Sequence, residues 1–156
     1  MINRMLAVLL ALAPGWALAA TTCAFSSTPG MSFGVYDDSS ASPTDAAASI
    51  VVVCSRNGGP TPTTVTLQVG PSANSGLIAT RTMRSGANSM NYNLYRDSGR
   101  SQVWGQTSAV DTGSISLTVP NNSSANGTFV IYGRISAQQN VPVGTFSDTV
   151  QITVSP

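Results

Sequence analysis

The chain has 156 residues, of which 42% are apolar and only 8% charged, and the charged set is seven Arg and six Asp with no Lys, Glu or His. Those absences remove a His base, a Ser-His pair, a Glu acid, a Lys Schiff base, a His-ligated metal and the Lys of a phosphate-binding loop. The near-cancelling charge leaves no basic stripe for nucleic acid, and 22 Ser, 17 Thr, 15 Val and 14 Gly describe a Thr/Val-rich β protein with a structural or binding role.

The first nineteen residues read as a secretory signal peptide. Arg4 supplies the positive end, Met5 to Ala13 is an apolar run, Pro14-Gly15 breaks it, and Ala17-Leu18-Ala19 offers small residues for a cut after Ala19. The run is far short of the roughly 20 apolar residues that span a bilayer. Cys23 lies too far past the cut for a lipoprotein. The expected organisation is therefore a signal peptide over 1–19 and one domain over 20–156. Cutting removes Arg4 and leaves six Arg against six Asp. A formal charge of zero gives little protection against self-association, which an assembly subunit tolerates better than a free enzyme.

Cys23 and Cys54 are the only cysteines. In an exported chain an even pair is most simply a structural disulfide. A redox pair or a metal site is the alternative, but there is no CxxC motif and no further soft ligand. The bridge would close a loop of about 32 residues and stabilise the fold by roughly 3–4 kcal/mol in the chain-entropy description.

Beyond the leader the chain reads as short strands and turns. A first strand is expected over Met31 to Tyr36. Ala48 to Cys54 contains the β-branched run Ile50-Val51-Val52-Val53, suited to a buried strand. Val65, Leu67 and Val69 alternate with Thr and Gln; Ile115, Leu117 and Val119 alternate with Ser and Thr; Val150, Ile152 and Val154 do the same. Further strands are expected near Met90 to Tyr95 and Phe129 to Ile135. Turn signals separate them: Asn57-Gly58-Gly59-Pro60, Asn74-Ser75-Gly76, Ser85-Gly86, Asp97-Ser98-Gly99, Asp111-Thr112-Gly113, Asn126-Gly127 and Pro142-Val143-Gly144. Pro60 and Pro62 are placed in a loop. The pattern predicts a single all-β domain, an antiparallel β-sandwich.

Candidate chemistry is sparse. Asp37-Asp38 is the only adjacent carboxylate pair, and with Ser39-Ser40 after it the pair reads as a solvated turn. Asp37, Asp38 and Asp45 do not have the spacing of a calcium loop. Asn122-Ser123-Ser124 and Asn126-Gly127-Thr128 match a glycosylation acceptor pattern that matters only in a eukaryotic secretory route. Arg81, Arg84, Arg96, Arg100 and Arg134 read as solvated or paired with Asp. Trp104, Tyr92, Tyr95 and Tyr132 read as core more readily than as an exposed aromatic patch. No catalytic, cofactor-binding or metal-ligating set emerges.

Two blocks carry a family resemblance. Met90-Asn91-Tyr92-Asn93-Leu94-Tyr95-Arg96-Asp97 with Val103-Trp104-Gly105 is one. Tyr132-Gly133-Arg134-Ile135 with Gln138-Gln139-Asn140-Val141-Pro142 and Gly144-Thr145-Phe146-Ser147-Asp148-Thr149-Val150 is the other. With Cys23 and Cys54 at the positions of that family's early disulfide, the chain resembles the spore coat protein U domain family over essentially its whole mature length. The resemblance implies a pilin subunit of the archaic, Csu-like chaperone-usher systems of Gram-negative bacteria. Such a subunit is an immunoglobulin-like sandwich lacking one strand. A periplasmic chaperone fills the resulting groove, an outer-membrane usher exchanges it for a neighbouring subunit's N-terminal strand, and the fibre serves attachment and biofilm formation. Neither nucleic acid nor a small-molecule substrate or cofactor is implied.

By that analogy the groove lies between the first and last strands, with Val150, Ile152 and Val154 on one wall and Phe33 and Val35 on the other. The alternative is a self-contained secreted coat or matrix protein with a complete sandwich, in which the same residues are ordinary core. One departure from the family pattern stands out. Only Ala20, Thr21 and Thr22 separate the expected cut from Cys23. Three residues reach about 10 Å at most, too little to fill a neighbour's groove. The expectation is a subunit that accepts a strand without donating one: a tip, terminating or non-polymerising member.

Overall fold

The computed structural model describes residues 20–28 and 30–156, so the expected signal peptide lies outside the described residues. They form eight strands: β1 Thr21–Ser27, β2 Thr44–Arg56, β3 Thr61–Ser72, β4 Arg81–Ser85, β5 Asn88–Tyr95, β6 Gly113–Val119, β7 Ser123–Ile135 and β8 Val150–Ser155. All pairings are antiparallel. One sheet has the order β1-β2-β7-β5-β4 and the other β6-β3-β8, and they face each other as a two-layer sandwich.

The alternation in the sequence sets which side chains meet. On β3 the inward row Val65, Leu67 and Val69 is wholly buried, as befits the central strand of the smaller sheet. On β2 the inward row is Ile50, Val52 and Cys54, and β2 is flanked on both edges by β1 and β7, which accounts for its unbroken β-branched run. Trp104 fills the space between the layers. Its ring lies 6.0 Å from that of Phe129, and its indole N–H donates to the Leu67 carbonyl at 3.0 Å. Trp104 and Tyr92 are therefore core residues, 2% and 8% exposed.

The disulfide joins Cys23 to Cys54, which face each other directly in the β1–β2 register. Here the first strand differs from expectation. Met31 to Tyr36 forms no strand; the residues flanking Cys23 do, because pairing to β2 and the disulfide hold them there.

Other expectations are corrected as well. Asn126-Gly127 is not a turn but the middle of β7, opposite Val53 and Val52. The side-chain ends of Ile115 and Leu117 occupy the space that a Cβ would take there, so β6 closes tightly over this glycine. Pro62 lies inside β3, opposite Thr118, on the stretch where β3 has β6 as its one neighbour. β4 was not foreseen, since Arg81-Thr82-Met83-Arg84-Ser85 has the composition of a surface loop. Its hairpin to β5 turns on Gly86, whose φ of +58° suits a two-residue turn.

The arginines also divide. Arg134 and Arg100 pair with Asp45, at 2.7 and 3.2 Å. Arg81 does not fit the expectation of a solvated or Asp-paired group: it is fully buried and bonded to carbonyl and amide oxygens. Asp37 behaves as a solvated turn, its Oδ1 accepting from the Ser39 amide and hydroxyl.

Candidate functional site

The two sheets do not close on each other equally at both sides. On the β6 side, Ile115 and Leu117 cover Gly127. On the β8 side no such closure exists. β8 pairs with β3 along one edge, and no described strand pairs along the other; β1 likewise pairs with β2 alone. The inward row of β8, Val150, Ile152 and Val154, is half-buried although the neighbouring row on β3 is completely buried. The sequence alternation that built an apolar face on β8 is therefore left partly uncovered.

The uncovered region is a cleft of about 600 Å³. Val150 and Ile152 form the bank on the smaller sheet. Ile50, Ile131, Leu94 and Tyr92 form the floor on the larger one, and Phe25 of β1 stands on the opposite bank. A second chamber of about 580 Å³ continues from it, lined by Met90, Ile135, Val141 and the chain from Ser32 to Tyr36. The two chambers share Met31, Phe33, Met83 and Phe146. Phe33 stands edge-on to Tyr92, centroids 5.9 Å apart. Met31 and Phe33 both lie over Gly133 of β7, where a Cβ would come within 2.3 Å of the Met31 sulfur.

Of the residues expected in a groove, Phe33, Val150 and Ile152 line the first chamber. Val154 continues the same row one step beyond it, half-buried against the core. Val35 is 94% exposed at the rim of the second chamber, so its side chain contributes little wall. Sequence reasoning missed the floor and Phe25. The sequence predicts strands near Met90 to Tyr95 and Phe129 to Ile135 and reads Tyr92 as core, but nothing in it separates cleft from core.

Polar groups at the cleft are satisfied locally. Tyr92 donates its hydroxyl to Asp148 Oδ2 at 2.8 Å, and Asp148 Oδ1 accepts from Asn74. Burial, and then the Asp148 bond, push the Tyr92 hydroxyl pKa above its ordinary value. The Arg134 hydrogen bond, helped by the charge of Arg100, holds Asp45 below the usual carboxylate range. A raised tyrosine contributes stability that is present below about pH 10 and lost above it; a lowered carboxylate contributes stability that is present above about pH 4 and lost below it. With no His, Glu or Lys in the chain, the unfolding free energy should be flat from about pH 5 to 9 and fall at both ends. Denaturant midpoints across pH test this, and a slope near pH 6–7 would contradict it.

Among the described residues no cluster of three or more His, Cys, Asp or Glu side chains is placed to hold a metal ion. The arrangement is an apolar cleft between two strand edges that no described strand pairs, a shape able to take an extended polypeptide.

A chain of the chaperone–tip adhesion subunit pre-assembly complex from the archaic chaperone-usher Csu pili of Acinetobacter baumannii shares this fold. Its TM-score is 0.52 at 21% identity, over 86% of this chain and 39% of that one. A chain of a chaperone–tip adhesin complex of CFA/I fimbriae biogenesis aligns with TM-score 0.43 at 10% identity, over 87% of this chain and 42% of that one. The chain thus spans about two-fifths of the length of each of these structures. No curated protein matches the sequence. Residues 7–153 match the family profile of the Spore Coat Protein U domain. The chain belongs to the Spore Coat Protein U domain family.

Proposed function

We propose that this protein is a non-enzymatic subunit of a cell-surface fimbria, built by a chaperone-usher route in which a strand from another polypeptide completes its sandwich. The observation that carries the reading is the contrast within the smaller sheet. The β3 row is fully covered, the β8 row faces an open apolar cleft, and the outer edge of β8 is unpaired. A strand laid there would satisfy the free backbone groups of β8 and seat alternate side chains between Phe25 and Ile152. Family membership and the fold shared with a chain of the Csu pre-assembly complex support the same reading. The partners would be a periplasmic chaperone, an outer-membrane usher and a neighbouring subunit, reached after export directed by residues 1–19.

A tip or terminating position, with a role in adhesion or biofilm formation, is the finer part of the proposal. It is supported by Thr21 and Thr22, which are paired with Arg56 and Ser55 of the same chain. The residues beside Cys23 are thereby engaged in their own sheet. Mass determination of the N-terminus of the exported protein tests this part, and a donor-length segment before Cys23 would contradict it.

The test of the main reading is export with and without the chaperone of the same assembly system. Without it the protein should be degraded or aggregate, because an open apolar cleft beside a free strand edge is an association hazard. A stable monomer that unfolds reversibly on its own would instead favour a self-contained coat protein.

A further inference from the structure

Sixteen residues, 28–43, separate β1 from β2, a connection of a length that usually has a function. We propose that its Gly30–Tyr36 stretch is an internal plug, whose Met31 and Phe33 hold the middle of the cleft until an incoming strand evicts them. This deepens the strand-acceptor reading and rests on it. Met31 and Phe33 lie two residues apart, on the same side of an extended stretch, and enter the cleft together. That is the spacing with which a strand presents alternate side chains. They also form the shared wall between the two chambers, so one longer groove is interrupted at this point.

The plug is held by side chains alone. No backbone group of Gly30–Tyr36 makes a backbone hydrogen bond to another described residue. Met31 and Phe33 rest on the bare backbone of Gly133, with Phe33 edge-on to Tyr92. An incoming strand gains what the plug lacks, the ladder bonds to the free edge of β8.

Both ends of the segment are tied down. On one side the Cys23–Cys54 disulfide anchors β1. On the other, the Tyr36 hydroxyl donates to the Ser136 carbonyl at 2.9 Å and accepts from the Gln139 amide at 2.7 Å. Gly34, with φ of +73°, supplies a bend between anchor and plug. Eviction is thus a local movement that leaves β1 and Tyr36 in place. The plug shields apolar surface before assembly, and it lowers the apparent affinity for any strand that must displace it.

Two variants of the exported protein, titrated with a synthetic peptide of alternating Val and Thr, separate a plug from a wall. Removing a competitor strengthens binding, whereas removing a wall weakens it. The double variant M31S/F33S should bind the peptide about tenfold more tightly than the natural protein. In F33W the new indole should move into water on binding, seen as a red shift of its emission against the buried Trp104. Weaker or unchanged binding by the double variant, or an unshifted or blue-shifted indole, overturns the plug. If the double variant does not fold, the F33W emission decides. If neither protein binds the peptide, the strand-acceptor reading itself fails and takes the plug with it.

Discussion

Arg81→Met should destabilise the domain by about 3–5 kcal/mol, the range for leaving buried polar partners of a charge uncompensated. Arg81 has no exposed surface, yet it makes no salt bridge among the described residues. Its charge is spread over oxygens instead. Nη2 donates to the carbonyls of Gly70 and Trp104, both at 2.7 Å, and of Val69 at 3.0 Å. Nε donates to Gly70 at 3.2 Å, and Nη1 to Asn93 Oδ1 at 2.6 Å. These oxygens come from β3, the loop carrying Trp104, and β5, so one guanidinium ties both sheets together. Burial pulls its pKa below the ordinary value, with Tyr92 and Asp148 opposing.

Methionine fills similar volume but takes the guanidinium away from the carbonyls of Val69, Gly70 and Trp104, while Asn93 Oδ1 keeps only the Leu94 amide. Arg81→Lys should be nearly as harmful, because a single ammonium cannot reach a fork's worth of acceptors. Guanidinium unfolding of the exported protein measures both, and a loss below about 1 kcal/mol for Arg81→Met would contradict this account.

Replacing the disulfide by C23A/C54A should cost about 3–4 kcal/mol, the value expected for a loop of this length. The effect should be local as well as global. β1 has a single neighbour, β2, and the bridge stands in the middle of their register. Without it β1 is free to fray, and with β1 goes Phe25, one bank of the cleft. The variant should therefore lose amide protection in β1 while β3 and β7 keep theirs. Hydrogen exchange followed peptide by peptide reads this directly. Equal loss of protection in all strands would show that the bridge acts on the unfolded chain alone.

Most of the fold was legible in the sequence because alternation survives wherever a strand has one face in the core. Val65-Leu67-Val69 and Val150-Ile152-Val154 read identically as sequence, yet one row is buried and the other half-open. That difference is decided by which strand lies beside each, a long-range fact that local patterning does not carry. The misreadings have the same origin. Gly127 looked like a turn because Asn-Gly usually is one; its actual role is to leave room for Ile115 and Leu117 from another strand. Arg81 looked like surface because charge normally is, and only the assembled carbonyls of three segments make its burial tolerable. Met31 and Phe33 alternate like a strand but pair with no strand among the described residues.

The central claim is that β8 waits for a strand from outside. It is tested most directly by the melting temperature of the exported protein with an alternating-apolar strand fused after Pro156 through a flexible linker, against the same fusion carrying a scrambled, polar strand. If the cleft accepts a strand, the matched fusion should melt higher by ten degrees or more, since a strand that fills it adds several kcal/mol and each shifts the midpoint by about 2–4 °C in a domain of roughly 150 residues. Equal melting temperatures for the two fusions would mean that the sandwich is already complete and that the cleft is only a surface groove.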